Sequence, residues 1–436
     1  MSERRTFDPF GGAVELVIST PASAEPPHPA DSGGPSSAGP SETSAAAPET
    51  SAAGPETSAA APETSAAAPE TSAAAPAGSL PGAAAPDPAN LACPAPIPER
   101  ARVLLGHGSG GQLSAALMRD VIAPALASGW ASPGGALNDA AVVEVPGGRL
   151  AFTTDSFVVS PIEFPGGDIG ELAVNGTVND LAMMGAQPLA LSLAYVIEEG
   201  LPIDELRKVT ESVARAAVRA GVRIVTGDTK VVGRGAADRL FVNTAGIGLV
   251  APGVSVSADR ARAGDAVVLS GPIGLHGIAI MSVREGLDFE VEIASDTQPL
   301  NALVAAIVAA CPDVRVMRDP TRGGLASALN EIAAASGVGI ELREETIPIP
   351  GPVRAACEML GLDPLHVANE GKLVAIVPAA SAEAVLAAMR ALPEGADAVE
   401  IGRVVADHPG MVTMRTIVGS QRIVDMLVGE QLPRIC

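Results

Sequence analysis

The sequence is poor in aromatic residues and in positive charge, and both shortages exclude classes of partner. Phe, Trp and Tyr make up 2% of the 436 residues, with one tryptophan, Trp130, and one tyrosine, Tyr195. Proteins that bind single-stranded nucleic acid stack bases on aromatic side chains, and phosphate backbones require a basic surface. The formal net charge of −22 offers no such surface. We therefore expect no nucleic-acid partner, although Mg²⁺ can still bridge carboxylates to nucleotide phosphates.

Paired cysteines and long apolar runs are also missing. The four cysteines are widely separated and form no CxxC pair, which excludes a zinc site of that spacing and a disulfide framework. Such cysteines are typical of a reducing compartment. No run approaches the ~20 apolar residues of a membrane helix. The pair Arg4-Arg5 is followed by Asp8 and Glu15 and not by the apolar run of an export signal. We predict a cytoplasmic protein with no membrane partner.

The N-terminal part is built from repeats. Residues 42–76 contain five copies of ETSAAAP, one with Gly54 in place of alanine. The period of seven does not indicate a coiled coil, because each copy contains a proline and no large apolar residue. The surrounding Ala/Pro/Ser-rich stretch buries too little apolar surface to become ordered. We predict a disordered extension over residues 1–98.

From about Arg102 onward, strand and helix patterns alternate, which predicts an α/β (α+β) fold of two domains. The domains are placed at 99–253 and 254–407, and residues 408–436 are assigned to a mobile tail. The predicted helices are Gln112–Leu126, Ile169–Met184, Ile203–Ala220, Leu300–Ala310, Gly324–Ser336 and Ala382–Leu392. The predicted strands are Arg102–Leu105, Val142–Val145, Leu150–Thr154, Leu189–Val196, Val222–Val225, Leu240–Leu249, Ala266–Leu269, Ile340–Leu342 and Leu373–Val377.

A glycine-rich loop runs from Gly106 to Gly111 and matches GxGxxG. Three interpretations stay open. A dinucleotide site would need an acidic residue about 20 residues further on, which is missing. The loop could instead present backbone amides to phosphates, or it could be a tight turn with no ligand. No Walker A motif occurs in the chain.

Five aspartates lie in short polar clusters beside apolar runs: Asp139, Asp155, Asp180, Asp228 and Asp319. A single aspartate in such a place is usually a helix cap or a turn residue. Two carboxylates about 4 Å apart repel each other by on the order of 4 kcal/mol at an effective dielectric of 20. If several converge, they need a cation, and Mg²⁺ with nucleotide phosphates would supply it.

Three further residues are candidates for chemistry. Lys230 follows a predicted strand and Glu370 precedes another, and each alone could be an ordinary surface charge. Cys436 is the last residue, and its free thiol would have a pKa near 8.5. A prenylation box is excluded, since it requires three residues after the cysteine.

At these residues the sequence closely resembles the HypE carbamoyl dehydratases of nickel–iron hydrogenase maturation, within the superfamily of aminoimidazole ribonucleotide synthetase and selenophosphate synthetase. The resemblance runs from about Arg102 to Cys436. Its motifs are His107-Gly-Ser-Gly-Gly, Asn138-Asp139, Thr154-Asp155-Ser156, Asn175-Gly-Thr-Val-Asn-Asp-Leu-Ala-Met-Met-Gly-Ala, Gly227-Asp-Thr-Lys-Val, Arg318-Asp-Pro-Thr-Arg-Gly-Gly, Ala368-Asn-Glu-Gly-Lys and Pro433-Arg-Ile-Cys.

The resemblance implies a two-domain synthetase fold, with a β-rich N-terminal domain that dimerises and a C-terminal α/β domain. It implies that ATP and Mg²⁺ are used to convert a carbamoyl group on Cys436 into a thiocyanate. By resemblance, the catalytic residues are Cys436, Lys230 and Glu370. The residues that would contact the nucleotide are His107, Gly108, Gly110, Asp139, Asp155, Asn179, Asp180 and Asp228, and those that would hold the metal are Asp139, Asp180, Asp228 and Asp319.

The implied partners are the carbamoyltransferase HypF, the HypC–HypD complex and a second copy of the chain. Selenophosphate synthetase is the nearest alternative, but it carries a reactive cysteine followed by a lysine ahead of its glycine loop. Here Cys93 lies among prolines, and no lysine precedes Lys208. A nucleotide-binding scaffold that uses its tail as a binding peptide is an alternative of another class.

Overall fold

A computed structural model describes residues 102–126, 137–287, 293–429, 432 and 434–436. The predicted disordered extension, residues 1–98, lies outside the described residues. Over the ranges that are described, no helix is both long and apolar enough to span a bilayer.

The N-terminal domain is a five-stranded sheet, in the order β1-β2-β7-β5-β6, with helices packed on one face. Strand β6 pairs with β5 in parallel, and the other pairs are antiparallel. A short β3–β4 ribbon precedes the buried helix α3. The elements are α1 (Gln112–Leu117), α2 (Ala123–Leu126), β1 (Ala141–Val145), β2 (Gly148–Phe157), β3 (Glu163–Phe164), β4 (Gly167–Asp168), α3 (Ile169–Met183), β5 (Ala186–Glu198), α4 (Ile203–Ala220), β6 (Arg223–Val232) and β7 (Leu240–Val250).

The C-terminal domain contains a seven-stranded sheet in the order β14-β13-β10-β12-β8-β11-β9. Two apolar clusters cover its faces. Its elements are β8 (Ala266–Leu269), α5 (Leu275–Arg284), α6 (Asn301–Ala310), β9 (Val316–Arg318), α7 (Gly324–Ser336), β10 (Gly339–Arg343), α8 (Gly351–Leu360), β11 (Val374–Val377), α9 (Ala382–Arg390), β12 (Val399–Val405), β13 (Val412–Arg415) and β14 (Gln421–Val424).

The predicted two-domain α/β fold is confirmed, and the clearest element is α4. Its apolar residues recur at spacings of three and four, its first turn is acidic, and Gly221 ends it in a left-handed conformation. The observed helix, Ile203–Ala220, has the predicted bounds. Helices α5 and α8 were not predicted. Helix α5 is short and apolar on most sides, so it lacks the one-sided pattern that periodicity detects.

One local prediction near the start of the first domain is wrong. Residues 102–105 were expected to form a strand, but Leu105–Gly108 form a 3₁₀ turn in which the Leu104 amide donates to His107 Nδ1 at 2.9 Å. The helix predicted over Gln112–Leu126 is confirmed, and it contains one wider π turn at Met118–Ile122.

The C-terminal segment also differs from the prediction of a mobile tail beginning at residue 408. Strand β13 pairs in parallel with β10, and β14 pairs with β13, so residues 412–424 complete the second sheet. Each of the two strands has only four residues, and the Val412 and Val424 side chains are buried in the core. The end of the chain is docked as well, with Leu432 and Ile435 buried.

Helix α3 joins the two domains and is buried along nearly its whole length. Asp168 caps its first turn by accepting from the amides of Gly170 and Glu171. Its Asn175 amide donates to Thr297 Oγ1 at 3.2 Å, in the C-terminal domain. Because α3 is held from both sides, a residue on it has a fixed position relative to both sheets.

Candidate active site

Three of the five predicted aspartates converge. Oxygen atoms of Asp139, Asp180 and Asp319 all lie within 4.8 Å of one another. Asp139 precedes β1, Asp180 lies on α3 and Asp319 follows β9, so the cluster forms where the domains meet. Thr153 on β2 donates to Asp180 Oδ2 at 2.8 Å. We call these three residues the carboxylate cluster.

The electrostatics of the carboxylate cluster fit a divalent cation. Removal from water raises the pKa values of Asp139 and Asp180 well above their usual range, and neighbouring carboxylates raise them further. The same causes raise the pKa of Asp319 to about 6. Asp139 Oδ2 is buried and has no hydrogen-bond partner among the described residues. Carboxylate oxygens that converge in this way, one of them without a partner, are the ligands that Mg²⁺ prefers, so the residues present fit that ion.

Asp155 lies next to this cluster on β2. Its pKa is raised, mainly by burial, while Arg322 opposes the rise. Asp228, by contrast, is not brought to the cluster within the described chain. It lies exposed on the edge strand β6 and pairs with Lys230, whose Nζ is 2.7 Å from Asp228 Oδ1. The metal and nucleotide roles assigned to Asp228, and the catalytic role assigned to Lys230, stay predictions.

The glycine loop packs against the segment that carries Asp319. Gly110 has φ +76°, and a Cβ on it would come within 2.6 Å of the Arg322 carbonyl oxygen, so only glycine fits there. The Arg322 guanidinium donates to the Gly108 carbonyl oxygen at 3.0 Å. His107, expected beside the phosphates, has its Nδ1 engaged by the Leu104 amide. The loop therefore lies beside the segment that carries Asp319, and we call the region between the loop, Arg322 and the carboxylate cluster the cleft.

Glu370 belongs to the same region, because Asp319, Asp155 and Arg322 are all close enough to influence its carboxyl group. Its side chain is buried, and within the described chain its Oε1 has no hydrogen-bond partner. Burial, together with nearby carboxylates, raises the pKa of Glu370 well above its usual range. Its backbone is held in place, because its amide donates to Asp296 Oδ1 at 3.1 Å. A buried, unpaired carboxyl group with a raised pKa is suited to accept a proton from a bound group.

Cys436 reaches this cleft. Arg322, Glu370, Asp155 and Asp319 are all close enough to influence its thiol electrostatically. Burial raises the pKa of the Cys436 thiol to about 12, and Arg322 opposes this rise. The docked sulphur is therefore a neutral thiol at physiological pH. Cys436, which the resemblance makes the reacting residue, therefore lies among the other predicted site residues.

Asn179 has a different environment from the one expected of a nucleotide contact. Its amide group donates to the Gln298 carbonyl at 3.1 Å, and its carbonyl accepts from the Leu300 amide at 2.8 Å. These bonds fasten α3 to the C-terminal domain. Its predicted nucleotide contact stays a prediction.

Four residues of the cleft were not singled out from the sequence. Arg322 lies between the glycine loop and Cys436, and its position in the Arg-Asp-Pro-Thr-Arg-Gly-Gly motif is the signal that could have revealed it. Asp296 and Lys372 form a buried pair, 3.8 Å apart, beside Glu370. His276 contacts the tail. No local pattern marks His276 or Asp296.

Comparison with known proteins agrees with this geometry. The AIR synthase related protein family matches twice, its N-terminal domain over residues 137–250 and its C-terminal domain over residues 262–414. The carbamoyl dehydratase HypE of Azotobacter vinelandii is 56% identical over 330 residues, which cover 76% of this chain and 96% of that protein.

Solved structures give the same result. The crystal structure of a HypE–HypF complex matches with a TM-score of 0.67 and 48% identity, over 71% of this chain and 100% of that one. The structure of HypE in complex with ATP matches with a TM-score of 0.65 and 48% identity, over 77% of this chain and 100% of that one. The chain belongs to the family of the HypE carbamoyl dehydratases.

Proposed function

We propose that this protein is an ATP-dependent carbamoyl dehydratase that acts on its own C-terminal cysteine in hydrogenase maturation. In the reaction, S-carbamoyl-Cys436 and ATP give S-cyano-Cys436, ADP and phosphate. The carbamoyl oxygen departs with the phosphoryl group, and both nitrogen protons are lost as the nitrile forms. The observation that carries the proposal is the position of Cys436 in the cleft, beside Glu370 and near the carboxylate cluster.

The residues around the Cys436 sulphur have different roles in the proposed reaction. Glu370 is placed to accept a proton from the carbamoyl nitrogen, and its raised pKa makes it a stronger base than an exposed carboxylate. Arg322 places a positive charge between the Gly108 carbonyl and the sulphur, where negative charge develops on the carbamoyl oxygen. The docked tail leaves Cys436 only partly exposed, which limits the access of water to the activated group.

Asp139, Asp180 and Asp319 would hold Mg²⁺, and the glycine loop at Gly108 and Gly110 would contact phosphate. A bound magnesium ion neutralises charge on the nucleotide and on the phosphoryl group in transit. The structure of a relative with ATP supports the nucleotide. The unpaired, buried Asp139 Oδ2 supports the ion.

We also propose that the protein acts as a homodimer through the open face of the N-terminal sheet. Edge strand β6 is exposed over most of its length. The uncovered face carries Phe152, Leu189, Ile247 and Leu249, each at least 40% exposed. A contiguous apolar sheet face of this kind is typical of an interface. A second copy there would cover Asp228 and Lys230, which the single chain leaves in solvent.

HypF is the proposed donor of the carbamoyl group, on the ground of the solved HypE–HypF complex of a relative. The HypC–HypD complex is the proposed acceptor of the cyanide, and the cytoplasm the proposed compartment. Another ATP-dependent synthetase activity of the same superfamily would leave the docked cysteine without a role.

The decisive experiment is the intact mass of the protein after incubation with HypF, carbamoyl phosphate and ATP, and then with Mg-ATP alone. We expect a gain of one carbamoyl mass on the peptide that ends in Cys436, followed by the loss of one water. The Cys436→Ala variant is the matched control. If Cys436 is never modified, the proposal fails and the synthetase and scaffold alternatives return.

A further inference from the structure

The last residues of the chain lie in extended pairing with the segment that follows β2. The Val158 amide donates to a main-chain oxygen of Cys436 at 3.1 Å, and the Ser160 amide donates to the Arg434 carbonyl at 3.2 Å. The Arg434 guanidinium donates back to the Val158 carbonyl at 3.1 Å. Main-chain bonds therefore determine how deep the cysteine enters the cleft.

His276, on α5, holds the tail at the next residue. Its Nε2 is 2.6 Å from the Ile435 carbonyl oxygen, and its Nδ1 is 2.8 Å from Ser295 Oγ. A carbonyl oxygen only accepts, so Nε2 carries the proton and Nδ1 accepts from the Ser295 hydroxyl. Phe164 packs edge-on against the ring, with 5.5 Å between the ring centroids. The orientation of the fully buried ring is thus fixed, and its only N–H group points at the tail.

Arg284, two turns further along α5, contacts the same segment. Its Nη2 donates to the Ser160 carbonyl at 2.6 Å and to the Arg434 carbonyl at 2.7 Å. This guanidinium therefore joins the tail to the segment it pairs with. Both α5 residues contact carbonyl groups, so neither depends on the chemical state of the cysteine.

We propose that His276 and Arg284 are positioning residues that bind the tail main chain and set the fraction of molecules in which Cys436 occupies the cleft. The consequence rests on the proposed function: a transferase must reach the thiol outside the cleft, whereas dehydration takes place inside it. The two residues would then set the balance between the undocked tail, which can be loaded with the carbamoyl group, and the docked tail, in which dehydration takes place. They act through the tail and not on the reacting atoms.

The test is the rate at which iodoacetamide alkylates each cysteine of the full-length protein, followed by peptide mass spectrometry. His276→Leu removes the donor and keeps the bulk, and Arg284→Met removes the guanidinium and keeps the length. Each lost hydrogen bond shifts a docking equilibrium by about 5–10-fold, so we expect alkylation of Cys436 to accelerate by about that factor. Buried Cys311 and Cys357 report on the fold in the same sample.

Arg207→Ala, an exposed change on α4, is the matched control and should leave the alkylation rates of Cys436, Cys311 and Cys357 unchanged. If His276→Leu also accelerates the alkylation of Cys311 and Cys357, the substitution has loosened the fold. The test then rests on Arg284→Met, because Arg284 is only half-buried. Slow alkylation of Cys436 in Arg284→Met, as in the unaltered protein, would overturn the proposal.

A second readout separates positioning from a merely structural role. In the intact-mass assay, both variants should load the carbamoyl group at least as fast as the unaltered protein and lose water several-fold more slowly. Equal slowing of both steps would contradict positioning. The alkylation result does not depend on turnover, so a failure of the proposed dehydratase activity would be visible separately, as loaded protein that never loses water.

Discussion

Arg318 Nε lies 2.8 Å from Asp139 Oδ1, across the junction of the two domains. The guanidinium also contacts Glu331, with Nη2 2.6 Å from Oε2. Asp139 belongs to the N-terminal domain, and Arg318 ends strand β9 of the C-terminal domain. This pair places a positive charge beside the carboxylate cluster, which reduces the repulsion among its three carboxylates, and it fixes the position of Asp139 in the cluster.

Replacing Arg318 by methionine should destabilise the protein, because it leaves buried carboxylates without their counter-charge. Removing one partner of a buried pair costs about 3–5 kcal/mol. We expect thermal unfolding at a clearly lower temperature without Mg²⁺ and partial recovery when Mg²⁺ is added. Arg403→Met, at an exposed ion pair with Glu341, is the matched control. An unchanged melting temperature for Arg318→Met would show that the pair does not stabilise the junction.

Asp319→Asn should have the opposite effect on the cation-free protein. The pKa of Asp319 is raised to about 6 in the fold, against about 3.9 for a free aspartate. Protonated Asp319 therefore makes its full contribution to the free energy of unfolding below pH ~4, and this contribution is lost as the pH rises through about 6. At pH 7.5 without cation, the variant should be more stable by up to about 3 kcal/mol, the free-energy equivalent of this difference in pKa. The melting-temperature increase caused by Mg²⁺ should shrink or disappear.

Asp313→Asn, at an exposed site, is the control for the loss of one negative charge. Calorimetry with and without Mg²⁺ measures both effects. A full Mg²⁺ response in Asp319→Asn would remove Asp319 from the proposed ion site.

Tail docking should weaken in alkali. The pKa of the Cys436 thiol is about 12 when docked, against about 8.5 for a free cysteine. Docking is therefore fully favourable below pH ~8.5 and is lost progressively between pH ~8.5 and ~12. The pH profile of Cys436 alkylation should have an apparent pKa above that of a free peptide with the same ending. Coincident profiles would mean that the tail spends most of its time undocked.

Glu370→Gln should uncouple the two steps of the proposed reaction. The variant keeps the size of the side chain but has no carboxylate to accept a proton. Loading of the carbamoyl group should persist, while loss of water slows by about 10²–10⁴-fold. The exposed Glu358→Gln on α8 is the control. Intact mass measures both steps. Rapid loss of water in Glu370→Gln would show that another group accepts the proton from the carbamoyl nitrogen.

Local patterns predicted much of the fold, and the reasons are visible in individual elements. Helix α4 has a one-sided apolar pattern, and strands β8 and β10 are short apolar runs between turns. Helix α5 and the strands from β12 onward were missed, because burial on all sides or short length removes periodicity. The assignment of residues 412–424 to the tail is wrong, because strands this short have only a weak apolar pattern and are stabilised by pairing with distant strands.

Local sequence patterns are enough to find the family motifs, the two-domain pattern, the aspartates and the terminal cysteine. Which of these residues meet depends on packing between distant parts of the chain. Asp139, Asp180 and Asp319 converge because α3 packs between the two domains, whereas Asp228 lies on an edge strand outside their reach. His276 finds the Ile435 carbonyl 159 residues away. Every residue has a main-chain carbonyl group, so the contact between His276 and Ile435 depends on packing and cannot be predicted from a residue pattern.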